Sequence, residues 1–427
     1  MPVNAIRDAT FDALSRRAFY GWTIVAIAAL AIFASGPGQS HTFSVFMPHV
    51  ARDLGISNSA IATAYGLATF IAAFALPRMG KLIDTFGTRT VMGWIAIALG
   101  AACLMFAAAA GPIMLAVAFA ALRFFGQGSL MMCSANLVGQ WFRDKRGTAM
   151  GLMALGFAAS MAVHPPLGHW LTGELGWRTA WIVLGVTTWV ILIPPIIFLV
   201  WNKPEDRGLA PDGASAAQTE TSTTAQIDGL NLKEALRTPT FYIVTIGWAF
   251  IAMLVTTLHF HQVAIMTQQG VGADVAAQLF PLSALTMVIA MPLVGRTFDR
   301  VRTRYVFAAG LVVTATSLLL ASVAHDTVSA VAYAISFGLN NALSMTMFGY
   351  LMPRFFGRKH LGHLQGTGQL IGVIGASLGP LPVGMAFDLV GSARLTLQLL
   401  AIAPLACAVA ALFLKTPAGV SHPKHLE

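Results

Sequence analysis

The sequence predicts an all-α membrane protein of twelve transmembrane helices in two pseudo-symmetric six-helix bundles. Three observations carry this: the composition, the spacing of the apolar runs, and a motif that returns 215 residues later. Of 427 residues, 56% are apolar and only 10% charged, and the mean hydropathy is +0.72. An ordinary domain holds about a quarter charged residues, so the apolar surface here faces lipid rather than water.

A hydrocarbon core about 30 Å thick asks for about 20 apolar residues per helix. Twelve such runs occur, at 20–47, 57–79, 91–110, 113–142, 147–172, 178–201, 240–268, 274–295, 304–324, 327–353, 362–388 and 394–414. The first follows Arg16 and Arg17. It is too long for a signal-peptide core and lacks a small-residue cleavage site, so it is expected to remain as a helix.

Charge fixes the orientation. With the N-terminus in the cytoplasm, 22 of the 26 Lys and Arg fall on inner segments, and only Arg52, Arg178 and Arg394 lie outside. The positive-inside rule therefore places both termini in the cytoplasm, in a multi-pass protein of the inner membrane. The net charge of +9 is topogenic, and no nucleic-acid partner is expected. Cys103, Cys133 and Cys407 sit inside apolar runs with no metal or disulfide spacing, and read as packing residues.

Between spans 6 and 7, Pro204-Glu205-Asp206-Arg207-Gly208 leads into a stretch rich in Thr, Ser, Ala and Gln that cannot bury a core. The expected organisation is a cytoplasmic segment 1–19, a six-helix bundle 20–201, a linker 202–238, a second bundle 239–414 and a cytoplasmic tail 415–427. The halves echo each other. Gly80-Lys81-Leu82-Ile83-Asp84-Thr85-Phe86-Gly87-Thr88-Arg89 after span 2 returns as Gly295 to Arg304 after span 8, with Gly, Asp and Arg at identical spacing. Gly147-x-x-x-Gly151 likewise matches Gly362-x-x-x-Gly366. Parallel six-span repeats are the build of one large transporter class.

The segment from Gly80 to Arg89, with its degenerate second copy, resembles the signature of the major facilitator superfamily. The resemblance implies alternating access by two rocking bundles around a central cavity, in a monomer that needs no cofactor. Gly21-Trp22, Gly139 through Gly147, Gly176-Trp177-Arg178 and the Pro204 to Gly208 segment are further similar to the monocarboxylate transporter and oxalate/formate antiporter group. One departure stands out. Many members of that group carry a span 8 arginine before a proline, with an acid one turn earlier, and that arginine grips a substrate carboxylate. Met291 and Met287 occupy those positions here.

Charges within spans are costly and are functional candidates by default. Arg123 lies about ten residues into span 4, near mid-depth, and resembles the superfamily's span 4 basic residue. It is either a structural arginine bonded to helix carbonyls or the cavity cation for an anionic substrate, whose carboxylate its planar fork would match. His41 in span 1 stands where related transporters place a lysine that joins substrate and proton movement, and histidine titrates in the physiological range. His259 and His261 in span 7 point roughly 200° apart, so only one can face a cavity. His261, nine residues before Gly270, fits the group's pattern better. Asn340 and Asn341 in span 10, Tyr65 in span 2, and Gln365 and Gln369 in span 11 add hydrogen-bonding capacity. His164-Pro165-Pro166 and Gly379-Pro380-Leu381-Pro382 read as helix breaks serving as hinges.

Gly80, Asp84, Arg89, Asp299 and Arg304 lie in the repeated cytoplasmic loops. There the resemblance implies a conformational latch, with a carboxylate against a helix N-terminus and arginines alongside. No nucleophile elbow, zinc-protease motif or phosphate loop is present, so no enzyme is expected. The reading is a secondary transporter of a small organic anion, a monocarboxylate first, working by proton symport or exchange. Its rivals are an exporter of amphipathic drugs or metabolites, favoured by the methionines of span 8, and a transport-dead sensor.

Overall fold

The computed structural model describes residues 3–16, 18–142, 145–213, 229–357 and 361–417, and within them it is helical, with one isolated bridge between Gly229 and Gly357. The linker stretch 214–228 and the tail 418–427 lie outside the described residues. The chain forms two compact units. One holds 1–49 and 71–223, the other 50–70 and 224–427. Division at the linker alone would leave 50–70 with the first six spans; instead, these residues, the last of span 1 and the first half of span 2, pack into the second unit.

In the first unit, α1 (Val3–Ser15) precedes span 1, which is built from α2 (Gly21–Ala34) and α3 (Ser40–Leu54). The expected continuous helix is broken by a tight turn at Gly36–Gly38, because Pro37 between two glycines interrupts the ladder. Span 2 is α4 (Asn58–Phe86), whose two parts belong to different units, and span 3 is α5 (Thr88–Ala107). Span 4 joins α6 (Pro112–Leu122) to α7 (Met131–Trp141) through eight residues of wider π-helix, Arg123–Leu130. Spans 5 and 6 run through α8 (Arg146–Phe198), non-helical only at Gly176, where φ is 77°.

In the second unit, the short α9 (Leu232–Ala235) leads into α10 (Pro239–Gln268), α11 (Ala273–Arg300), α12 (Thr303–Val323) and α13 (Thr327–Phe356). Span 11 is α14 (Leu361–Leu378) and α15 (Pro380–Leu389), and span 12 is α16 (Arg394–Leu400) and α17 (Ile402–Leu412). Among the described residues, nine helices are long and apolar enough to cross a membrane, and α8 is long enough for two crossings.

Two expectations need correction. The motif segments are not loops: α4 continues through Asp84 to Phe86, and α11 through Asp299 to Arg300. Nor do Pro165 and Pro166 break span 5. Both lie inside α8, since membrane helices tolerate proline where neighbours compensate. Gly379 does break span 11, as expected. The residues before span 1 form a helix, α1, which docks on the end of span 6. The last carbonyls of span 6 take hydrogen bonds from Arg89 (to Ile196 and Ile197), Tyr20 (to Leu199), Arg7 (to Val200) and Trp141 (to Trp201). Arg207 pairs with Asp8 at 2.7 Å and Asp12 at 3.6 Å, which fastens α1 to the start of the linker. Burial lowers the Arg7 guanidinium to about 10, and its plane lies 3.3 Å over the Trp201 ring.

Within each unit, small residues let helices touch. A Cβ at Gly156 would run into the Ala29 carbonyl, and one at Gly375 into the Ala249 carbonyl. This is how helices associate where lipid offers no hydrophobic drive.

Candidate functional site

Arg123 opens the π-helical stretch and is 3% exposed. Its place follows from a close approach of backbones. Gly38 and Gly126 stand face to face, a Cβ on Gly126 falling 2.9 Å from the Gly38 Cα, so the span 1 turn presses against span 4. The Arg123 Nη1 then donates to the Gly38 carbonyl at 3.1 Å and to Ser40 Oγ at 3.4 Å. Both of these acceptors are neutral. Wider π turns recur at functional positions.

His41, one residue on from Ser40 and 1% exposed, lies with Nε2 3.2 Å from Ser160 Oγ. The same hydroxyl is 3.2 Å from His164 Nδ1, which is also 3.1 Å from the Ser160 carbonyl. A carbonyl only accepts, so His164 Nδ1 carries the hydrogen, while between His41 Nε2 and the serine hydroxyl either group can donate. The His164 ring fills the space beside Gly36 and packs 5.0 Å from Phe33. Sequence reasoning read His164 as part of a hinge; it is one end of a buried polar chain. It missed Ser160, whose only sequence signal is a position one turn before that histidine.

In the second unit, His259 and His261 face different neighbours, as their angular spacing requires. His259 lies 4.7 Å from Phe337 of α13 and 6.5 Å from Phe280 of α11. His261 Nε2 donates to the Pro380 carbonyl at 2.8 Å, where the break at Gly379 leaves an acceptor in reach. Asn340 and Asn341 are each 1% exposed. Asn340 Oδ1 accepts from Thr314 Oγ1 at 2.9 Å, and Asn341 Nδ2 donates to the Phe337 carbonyl at 2.8 Å. Asn340 Nδ2 and Asn341 Oδ1 have no partner among the described residues, one donor and one acceptor on adjacent positions. Tyr65 is buried against Phe260 at 4.6 Å, whereas Gln369 is exposed.

The latch residues separate. Arg89 is held within the first unit on the end of span 6, and its N–H also donates to Asn202 Oδ1 at 2.8 Å. Arg304 donates to the Tyr305 hydroxyl at 3.0 Å. Gly80 is helical with open space where a Cβ would stand. The side chains of Asp84, Asp299 and Gln365 lie outside the described residues. Among the described residues no cluster of His, Cys, Asp or Glu has the arrangement of a metal site.

Comparison with known proteins adds the lineage. The sequence pattern of the Major Facilitator Superfamily matches residues 22–380 and 260–427. Human monocarboxylate transporter 2 is 23% identical over 87% of this chain and 80% of its own. The oxalate:formate antiporter of Oxalobacter formigenes is 26% identical over 48% of this chain and 46% of its own. A multidrug resistance protein B homologue of Mycobacterium tuberculosis is 31% identical over 38% of this chain and 29% of its own. Among solved structures, a bacterial homologue of the human lysosomal transporter Spinster superposes with a TM-score of 0.64, covering 92% of this chain and 94% of that one at 15% identity.

Proposed function

This chain belongs to the Major Facilitator Superfamily, and from that premise we propose that it carries a small organic anion, a monocarboxylate first, by proton symport or exchange. It is a multi-pass membrane transporter and not an enzyme. The reading places it in the inner membrane with both termini in the cytoplasm, as a monomer. The observation that carries it is Arg123: a guanidinium buried within a span, with hydrogen bonds to the Gly38 carbonyl and the Ser40 hydroxyl beside the break in span 1. A charge within a span is a functional candidate by default, and the planar fork of a guanidinium matches a carboxylate. His41, next in sequence to the Ser40 that Arg123 bonds, is proposed to supply a proton-labile group, while His261, Asn340, Asn341, Tyr65 and Gln369 are proposed as further substrate contacts. Gly80, Asp84, Arg89, Asp299 and Arg304 are proposed to set the conformational cycle.

A second reading, export of amphipathic compounds, draws on Met287 and Met291 in α11 and on the likeness to the multidrug resistance homologue. A thermal-shift screen of the purified protein separates the two, since a ligand that binds the folded state stabilises it by RT ln(1 + [L]/Kd). Monocarboxylates are expected to raise the melting temperature of the parent and not of Arg123→Gln. Stabilisation by cationic amphiphiles alone would replace this reading with the exporter.

A further inference from the structure

The first helix turn of α4 has an unusual partner. Ser57 Oγ accepts from the Ala60 N–H at 3.2 Å, as a residue just before a helix does. The two N–H groups before it are taken by a carboxylate 330 residues away. Asp388 Oδ1 accepts from the Asn58 N–H at 3.0 Å and from Asn58 Nδ2 at 3.2 Å, and Oδ2 accepts from the Ser59 N–H at 2.6 Å. A charged acceptor at the positive end of a helix combines a cap with a favourable dipole interaction.

The cap closes a seam that the sequence builds along both helices. On α4, Asn58, Ala62 and Gly66 follow at intervals of four and share a face. Opposite them, a Cβ on Gly384 would sit 2.9 Å from the Asn58 carbonyl and 3.0 Å from Ala62 Cβ, and Gly66 lies against the Ser377 carbonyl. Backbones approach because the side chains are small, and Asp388 stands one turn beyond Gly384 on the same face.

Span 2 belongs by chain order to the first repeat and span 11 to the second, yet residues 50–70 pack within the second unit. Parallel repeats move against each other when access alternates. We infer that Asp388 is a state-setting residue of the transport cycle: its carboxylate caps α4 while the outer half of span 2 is seated on span 11, and must release it when they part. Release returns two backbone donors to water, so the bond weights one state over the other without blocking either. The inference rests on transport by alternating access and on no particular substrate.

The test measures the separation of outer ends in the full-length protein. Cys103, Cys133 and Cys407 are replaced by alanine, and spin labels are placed on Arg52→Cys and Leu395→Cys, both exposed positions. Asp388→Asn, which loses the charge and one of the two acceptor oxygens, is expected to raise the ratio of long- to short-distance populations by about fivefold, the weight of one hydrogen bond. Asn58→Pro approaches from the other side. It removes both donors to Oδ1, yet proline is favoured at the first helical position, so α4 still forms. It should produce the same shift, and combining it with Asp388→Asn should add little. Asp326→Asn, which removes the carboxylate charge at the start of α13 where it accepts from the Ser329 N–H, should leave the ratio unchanged. Unaltered distances in monodisperse Asp388→Asn and Asn58→Pro, or an equal shift from Asp326→Asn, would overturn the inference.

Discussion

The two units repeat one contact and answer it with different chemistry. His41 meets Ser160 and His261 meets Pro380; the second pair lies 220 positions after the first, and each pair spans 119 residues. In the first unit the partner is a hydroxyl, which can donate or accept. In the second it is a carbonyl, which only accepts and so fixes a proton on His261 Nε2. The helix breaks are exchanged as well. The first unit breaks span 1 at Gly36–Gly38 and keeps span 5 helical through Pro165 and Pro166, whereas the second keeps α10 intact and breaks span 11 at Gly379. Position 164, a histidine in the polar chain, corresponds to Gly384, whose missing side chain admits α4. The same scaffold position thus serves a proton-labile network in one half and a helix seam in the other.

The largest expected effect tests the asymmetry between the two copies of the motif. Asp84→Asn should remove nearly all transport with insertion intact, and Asp299→Asn should cost far less because its motif is the degenerate copy. Equal flux from the two variants in proteoliposomes would break the comparison. Next, His41→Gln should abolish accumulation driven by a proton gradient while leaving exchange of substrate, whereas His261→Gln should keep coupling. Loss of coupling from His261→Gln alone would reverse the assignment. Third, Arg123→Lys keeps the charge but loses the fork. Its affinity, read by the thermal-shift titration, should fall about tenfold if about 1.4 kcal/mol of bidentate geometry is lost.

The smallest effect concerns Asp326. Its carboxyl is held below the ordinary carboxylate range by hydrogen bonds from the Ser329 hydroxyl and N–H. A depressed carboxyl contributes stability above its unfolded pKa and loses it as pH falls through the folded value. Asp326→Asn should therefore lower the melting temperature slightly at pH 7, by under about 2 °C, and not at all once the parent carboxyl is protonated. A deficit that persists in acid would assign the loss to something other than the cap.

Apolar runs made most of the fold legible, because crossing lipid demands length and hydrophobicity that few other structures share. What they conceal is the course of the hydrogen-bond ladder. The turn at Gly36–Gly38, the π stretch from Arg123 and the continuation of α4 past Gly80 are as apolar or as polar as the alternatives. Arg123 and His41 stood out because a span rarely carries such groups. Their partners did not: Gly38, Ser160 and the Pro380 carbonyl are ordinary in a membrane helix, and only packing across 85 to 119 residues of chain gives them a role. Asp388 escaped notice for a related reason, since a carboxylate at the end of a span reads as a solvated terminus until its helix partner is seen.

The docking of α1 on span 6 sets a schedule for synthesis. The Arg7 bond to Val200 joins residues 193 apart. At about 5–20 residues per second, α1 waits roughly 10–40 s for its seat to be made. During that wait, Phe11 and its neighbours are an uncovered amphipathic surface. A bulky fusion placed ahead of Val3 would burden that late step, while one placed after Leu414 would not.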